Sequence, residues 1–320
     1  VPADNPLTAA KIELGKKLYF DPRLSSDDTI SCATCHDPRA GFAEHKPVSD
    51  GVAGGRGNRN APTVMNAAFF REQFWDGRAP SLEAQAVGPI INPVEMAMPE
   101  HPAVEKKLAG LAEYPPLFQK AFGDPEVTIS RIGKALASFE RTLVSLDAPI
   151  DRFLAGDATA ISDSAKRGWV LYNSKALCVT CHAHVAASPL FTDAKYHNLG
   201  VAAKPAEFLA LAKQLAERPA DFEKLASAPG VEELGRFAVT RKPQDLGAFK
   251  TPHLRNIALT APYMHDGSEA TLAEVIEYYD RGGNKNPWLD PNMHPLGLSA
   301  QEKADLVALL ETFTSSDLAR

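Results

Sequence analysis

Apolar residues recur at helical spacing along much of the chain. The clearest run covers residues 128–145, where Ile129, Ile132, Leu136, Phe139 and Leu143 share one face. The same period predicts helices over residues 8–19, 205–226, 271–281 and 299–314, and Ser164 is placed to cap a further helix that carries Trp169. No alternating Val/Ile/Thr run of strand type stands out, so the expected fold class is all-α. Pro149 and the small, polar residues 155–164 read as a connector. They put a boundary near residue 150 and divide the 320 residues into domains 1–150 and 151–320. The Gly/Pro/Asn-rich segments 49–63 and 282–297 are long for loops inside a compact domain, which points to something besides packing that holds them.

Cysteine usage changes the picture. The four cysteines fall into two copies of one pattern, Cys32-Ala33-Thr34-Cys35-His36 and Cys178-Val179-Thr180-Cys181-His182. C-x-x-C-H is the attachment signature of c-type haem: both thiols bond the porphyrin and the adjoining His becomes an axial ligand of iron. A Cys/His zinc site or a thioredoxin-like redox pair would use some of the same residues. Zinc would prefer ligands that can converge, a redox pair would not need a His after both copies, and two complete copies account for all four cysteines. Two covalently bound haem c groups, one per half, are therefore expected.

Composition removes other classes. Hydrophobic residues make up 44% of the chain and the net charge is −6, with no Lys/Arg run interleaved with aromatics, so nucleic acid is not an expected partner. No apolar run approaches the ~18 residues of a membrane span. Val1-Pro2-Ala3-Asp4 is not the basic start of a signal peptide, and the expectation is a chain already processed.

The runs Gly57-Asn58-Arg59-Asn60-Ala61-Pro62-Thr63, Phe74-Trp75-Asp76-Gly77-Arg78, Asn92-Pro93-Val94-Glu95-Met96 and Thr260-Ala261-Pro262-Tyr263-Met264-His265-Asp266-Gly267 carry a wider resemblance. Together with both haem motifs, they resemble the bacterial dihaem cytochrome c peroxidase and MauG superfamily, from about Leu14 to Leu310. That resemblance implies two cytochrome c-like helical domains facing each other, a periplasmic setting and a calcium ion (Ca2+) between the haems. It makes the first haem, on His36, the peroxide site and gives electron handling to the second, on His182.

By the same resemblance, conventional peroxidases carry a His in the glycine-rich loop that blocks the first iron until the second haem is reduced. Here that place falls on Val52 or Ala53, neither of which ligates iron. The first haem is expected to keep an open position, with His45 as the alternative ligand. For the second haem the family's Met position falls on Tyr279, as in MauG, with Met264 and Met293 as alternatives. A tyrosinate oxygen is a hard anionic donor that favours higher iron oxidation states.

Heterolytic cleavage of peroxide needs a positioned acid/base to move a proton between the two oxygens. The resemblance assigns that work to Glu95, with Gln85 as the neighbouring amide, and makes Trp75 an electron relay between the haems. Asn60 and the carbonyls of Thr260 and Pro262 match the family's calcium ligands, hard oxygen donors suited to a hard cation. His197 and His265 are assigned to hydrogen bonding, and Trp169 and Trp288 to packing or surface.

The leading expectation is a MauG-like peroxidase: H2O2 reacts at the first haem, both irons share a high-valent state, and a Trp or Tyr of a partner protein is oxidised at a distance. The second is a cytochrome c peroxidase supplied with electrons by a small cytochrome or cupredoxin. The third is an electron carrier with both irons closed, against which Glu95 and Gln85 argue.

Overall fold

The computed structural model describes residues 1–184, 189–226 and 228–315, and its regular structure is mainly helical. The chain divides into two compact units. One is Val1–Gln73 with Ala79–Val144; the other is Phe74–Arg78 with the residues from Ser145 onward. The expected boundary near residue 150 compares with a division after Val144, and the strip Phe74–Arg78, expected in the first half, belongs to the second unit.

Each unit is built on a helix pair that closes on a glycine. In the first, Thr8 caps Ala9–Tyr19 by accepting the Lys11 N–H at 3.3 Å, and Thr128 caps Ile129–Glu140 through the Arg131 N–H at 3.3 Å. Leu14, Leu18, Ile132 and Leu136 are fully buried between and around these helices. A Cβ on Gly15 would lie 1.9 Å from the Ala135 carbonyl oxygen, so only glycine allows the approach. In the second unit Ser162 caps Asp163–Tyr172, while Ser299 and Glu302 form a capping box on Ala300–Glu311. Here Gly168 makes the close approach, 2.1 Å from a hypothetical Cβ to the Asp305 carbonyl oxygen.

Both glycines open the same local sequence, Gly15-Lys16-Lys17-Leu18-Tyr19 and Gly168-Trp169-Val170-Leu171-Tyr172, at the end of a helix. A second repeat relates residues 61–85 to 251–275. Asn66 and Asn256 both take left-handed backbone, φ 60° and 59°, before a short 3₁₀ turn. Antiparallel bridges then join Gln73 to Ala79 and Tyr263 to Glu269, and Ser81 and Thr271 cap the helices Leu82–Ile91 and Leu272–Asp280. The two haem motifs are thus one sign of a deeper internal duplication.

Several expectations are corrected. The helix expected over 205–226 stops at Glu217, because Pro219 disfavours helical backbone before it; a separate turn covers Phe222–Leu225. Ser162, not Ser164, is the cap; Ser164 lies inside the helix and donates to Asp305 at 2.6 Å. Pro149 opens a short helix, Pro149–Leu154, at the position where a missing N–H costs nothing. Tyr196–His197 pairs antiparallel with Phe249–Lys250, a strand pair too short to show as alternation. Helices His101–Ala109 and Tyr114–Phe122 were not among those expected; each carries proline in its first turn.

The strip Phe74–Arg78 is fastened through its backbone. The Lys250 N–H donates to the Trp75 carbonyl at 2.8 Å, and Arg236 donates to the carbonyls of Asp76 and Gly77 at 3.0 Å each. Long loops are held by side-chain amides: Asn60 donates to the Lys46 and Pro47 carbonyls, Asn286 exchanges bonds with Asn198, and Asn284 donates to the Gly200 carbonyl.

Candidate functional site

In the first unit, Cys32–Cys35 forms one helical turn that His36 ends by donating its N–H to the Cys32 carbonyl at 2.9 Å. Tyr19 donates its hydroxyl to the His36 carbonyl at 2.8 Å, tying the motif to the end of the first helix. Burial pushes the Cys32 thiol up to about 12 and the Cys35 thiol up to about 11, with the Glu44 and Glu95 carboxylates adding to the latter. Burial likewise holds the His36 imidazole down at about 4, so the ring is neutral and able to ligate metal. Its Nδ1 is enclosed without a hydrogen-bond partner.

The second motif repeats this design. Tyr172 donates its hydroxyl to the His182 carbonyl, and the His182 ring bonds the Phe191 carbonyl through Nδ1 at 2.9 Å. A carbonyl only accepts, so Nδ1 carries the proton and the Nε2 lone pair is left for a metal. Burial pushes Cys178 up to about 12 and lowers His182.

These residues fit a covalently attached haem. All four thiols are free of disulfides, and desolvation governs Cys32, His36, Cys178 and His182 although each keeps accessible surface. That combination marks side chains that line an enclosed space.

The first unit brings Glu95 into electrostatic reach of Cys35. Leu82–Ile91 carries Gln85 and contains Pro89, which lacks the N–H that would bond the Gln85 carbonyl, so the helix loosens and turns. In that turn the Asn92 side chain donates to Glu95 Oε1 at 2.8 Å. The glycine-rich loop docks on the same turn: Val52 donates its N–H to the Glu95 carbonyl at 2.9 Å, and a Cβ on Gly51 would lie 2.2 Å from the Val94 carbonyl oxygen. Val52 is buried, whereas Ala53, at φ 54°, and His45 are exposed.

In the second unit Tyr279, on Leu272–Asp280, feels the charges of Cys181, Cys178 and Asp290 after burial, the largest effect, has raised its phenol. Trp75 is half-buried, edge-on to His265 at 6.5 Å between ring centroids. His265 stacks on Phe249 at 3.6 Å and bonds Glu233 at 2.7 Å, and His197 is held between Asp193 at 3.0 Å and Asp290 at 2.6 Å. Asn60 lies in the first unit and Thr260 and Pro262 in the second.

Three positioning residues escaped the sequence reading: Asn92, Tyr19 and Tyr172. Asn92 stands three places before Glu95 in the motif already singled out, and the repeated Gly-x-x-Leu-Tyr marks both tyrosines.

Comparison with known proteins agrees with this geometry. The family described as "Di-haem cytochrome c peroxidase" matches residues 9–159. The chain is similar to the methylamine utilization protein MauG of Methylorubrum extorquens, 40% identical over 321 residues, which cover 99% of this chain and 82% of that protein. It is equally similar to the cytochrome c551 peroxidase of Nitrosomonas europaea, 40% identical over 281 residues, covering 88% of this chain and 76% of the relative. A solved structure titled as a MauG-like protein associated with microbial copper homeostasis superposes with a TM-score of 0.84 at 32% identity, covering 100% of this chain and 93% of the other. The chain belongs to the dihaem cytochrome c peroxidase family, and with it is a haem-dependent oxidoreductase that uses hydrogen peroxide.

Proposed function

We propose that this protein is a MauG-like dihaem peroxidase that draws electrons from an aromatic side chain, Trp or Tyr, of a partner protein. The observation that supports this reading is the docked glycine-rich loop: Val52 bonds the Glu95 carbonyl, and neither Val52 nor Ala53, where the resemblance puts a blocking His, can ligate iron. Haem on His36 supplies an iron that reacts with peroxide, and haem on His182 supplies a second place for an oxidising equivalent.

The chain's own groups do the rest. Glu95 moves the proton between the peroxide oxygens. Asn92 fixes its Oε1, and the loop fixes its backbone. Gln85, on the helix Leu82–Ile91, would offer an amide to peroxide held there, a preorganised dipole of the kind that stabilises developing charge. Tyr279, with Cys178 and Cys181 acting on it, is the oxygen ligand for the second haem. Trp75, against His265, is the side chain for electron exchange between the haems.

Asn60 and the Thr260 and Pro262 carbonyls complete the proposal as calcium ligands. The setting proposed is the periplasm, and among the described residues no helix is long and apolar enough to cross a membrane.

Electron paramagnetic resonance of the oxidised protein tests this reading. We expect one high-spin haem with an open position and one low-spin haem, with Tyr279→Phe altering only the low-spin signal. Two low-spin haems in the resting protein, or a Tyr279→Phe spectrum identical to wild type, would overturn it.

A further inference from the structure

The internal duplication isolates one side chain that the repeated helix approach does not dictate, although it packs against the second unit's core. In Gly-x-x-Leu-Tyr, the glycine makes the close helix approach, the leucine lies on the helix and the tyrosine bonds the carbonyl of the motif His in both units. The two positions after the glycine differ: Lys16 and Lys17 in the first unit, Trp169 and Val170 in the second. A lysine serves at the first of these places, so helix packing alone does not call for an indole there.

Trp169 is stacked on Tyr172, 5.4 Å between ring centroids and 14° between planes. Tyr172 is 1% exposed and bonds the His182 carbonyl, whereas Trp169 keeps accessible surface and its neighbour Val170 is 65% exposed. A half-buried, easily oxidised ring that packs on the second core and keeps an accessible edge is therefore joined to the second motif through one buried ring and one hydrogen bond. We propose that Trp169 is the point at which the second haem takes up electrons from a one-electron protein donor, with Tyr172 as the bridge.

The electron balance is that of the peroxidase reaction: H2O2, two electrons and two protons give two waters. Each electron would pass from Trp169 across Tyr172 toward the haem that His182 would hold, and the indole would regain it from the donor, which is oxidised by one electron. Tyr172 itself stays protonated. Its hydroxyl donates to the His182 carbonyl, which takes no proton. The phenol thus serves as a bridge, and the indole as the site that is transiently oxidised. This inference requires the family's peroxidase activity and does not depend on which protein donates.

Two measurements test it. After excess peroxide with no donor, peptide mass spectrometry should find added oxygen at Trp169 in preference to Trp288. Trp169→Phe and Trp169→Lys, the latter installing the residue of the first unit, should oxidise a reduced small cytochrome c roughly tenfold more slowly or worse. Both variants should keep wild-type haem spectra and a wild-type rate of reaction with peroxide, and Trp288→Phe should be unaffected in all respects. A wild-type rate of donor oxidation in Trp169→Lys, or oxygen added at Trp288 and not at Trp169, would overturn the proposal. If peroxide reacts only after the second haem is reduced, the MauG-like reading fails while the Trp169 comparison is run on that half-reduced enzyme, so the two failures are distinct.

Discussion

Val52 donates its backbone N–H to the carbonyl of Glu95 at 2.9 Å, which docks the glycine-rich loop on the turn that carries the Glu95 carboxylate. The loop can dock this closely because Gly51 has no Cβ to meet the Val94 carbonyl oxygen. A side chain at Val52 is buried and one at Ala53 is exposed, so of the two positions only Val52 points into the unit.

Val52→His should therefore turn the first haem low-spin in the oxidised protein and suppress its reaction with peroxide until the second haem is reduced. The measurement is the high-spin optical band before and after half-reduction. An unchanged band would mean that residue 52 does not reach the first haem.

Glu95→Gln keeps an acceptor for the Asn92 amide but removes the proton carrier. Peroxide cleavage should slow by roughly 10²–10⁴-fold, with both haems attached and their resting spectra unchanged. Stopped-flow kinetics of the first peroxide reaction would show it, and a wild-type rate would remove Glu95 from the chemistry.

Glu140 makes stability depend on pH. It is 5% exposed, its Oε2 has no hydrogen-bond partner, and burial pushes its pKa from 4.5 up to about 8. Neighbouring Arg141 opposes the shift but is engaged by Glu83 at 2.7 and 3.0 Å, whose charge reinforces it. Between those two pKa values the folded chain holds a proton that the unfolded chain has lost, so stability falls as pH rises and the loss is complete above the folded value. The penalty is on the order of 5 kcal/mol across that window. Glu140→Gln should flatten this slope in denaturant titrations at about pH 5 and about pH 9; an equal slope in both proteins would show that Glu140 ionises freely.

The paired glycines give a test of the duplicated helix packing. Gly15→Ala and Gly168→Ala each force a methyl against a backbone carbonyl, at 1.9 and 2.1 Å, and should cost about 1–3 kcal/mol. Gly110→Ala, whose Cβ would meet nothing closer than 3.5 Å, should be close to neutral in thermal denaturation. Similar melting points for all three variants would contradict the packing described.

These residues also show what could be read from the chain. The haem motifs, the all-α class and the helices around Leu14, Ile132 and Ile276 were legible, because cysteine spacing and a 3.6-residue period are local signals. The membership of Trp75 was not: its strip belongs to the second unit through backbone bonds from Lys250 and Arg236, which no pattern near Trp75 encodes. The helices His101–Ala109 and Tyr114–Phe122 carry prolines in their first turns, where the same residue that ends a helix elsewhere is tolerated. Tyr19 and Tyr172 were visible only as a pair, once the two halves are laid side by side.

The central claim is that the first haem meets peroxide with no prior reduction and that both haems share the oxidation. The direct test is rapid-mixing optical and Mössbauer spectroscopy of the fully oxidised protein with one equivalent of peroxide and no donor. The account predicts that both haem signals change together at once and that the oxidised state persists until a donor is added. A protein that stays silent until its second haem is reduced would contradict it, and would make this chain a conventional cytochrome c peroxidase.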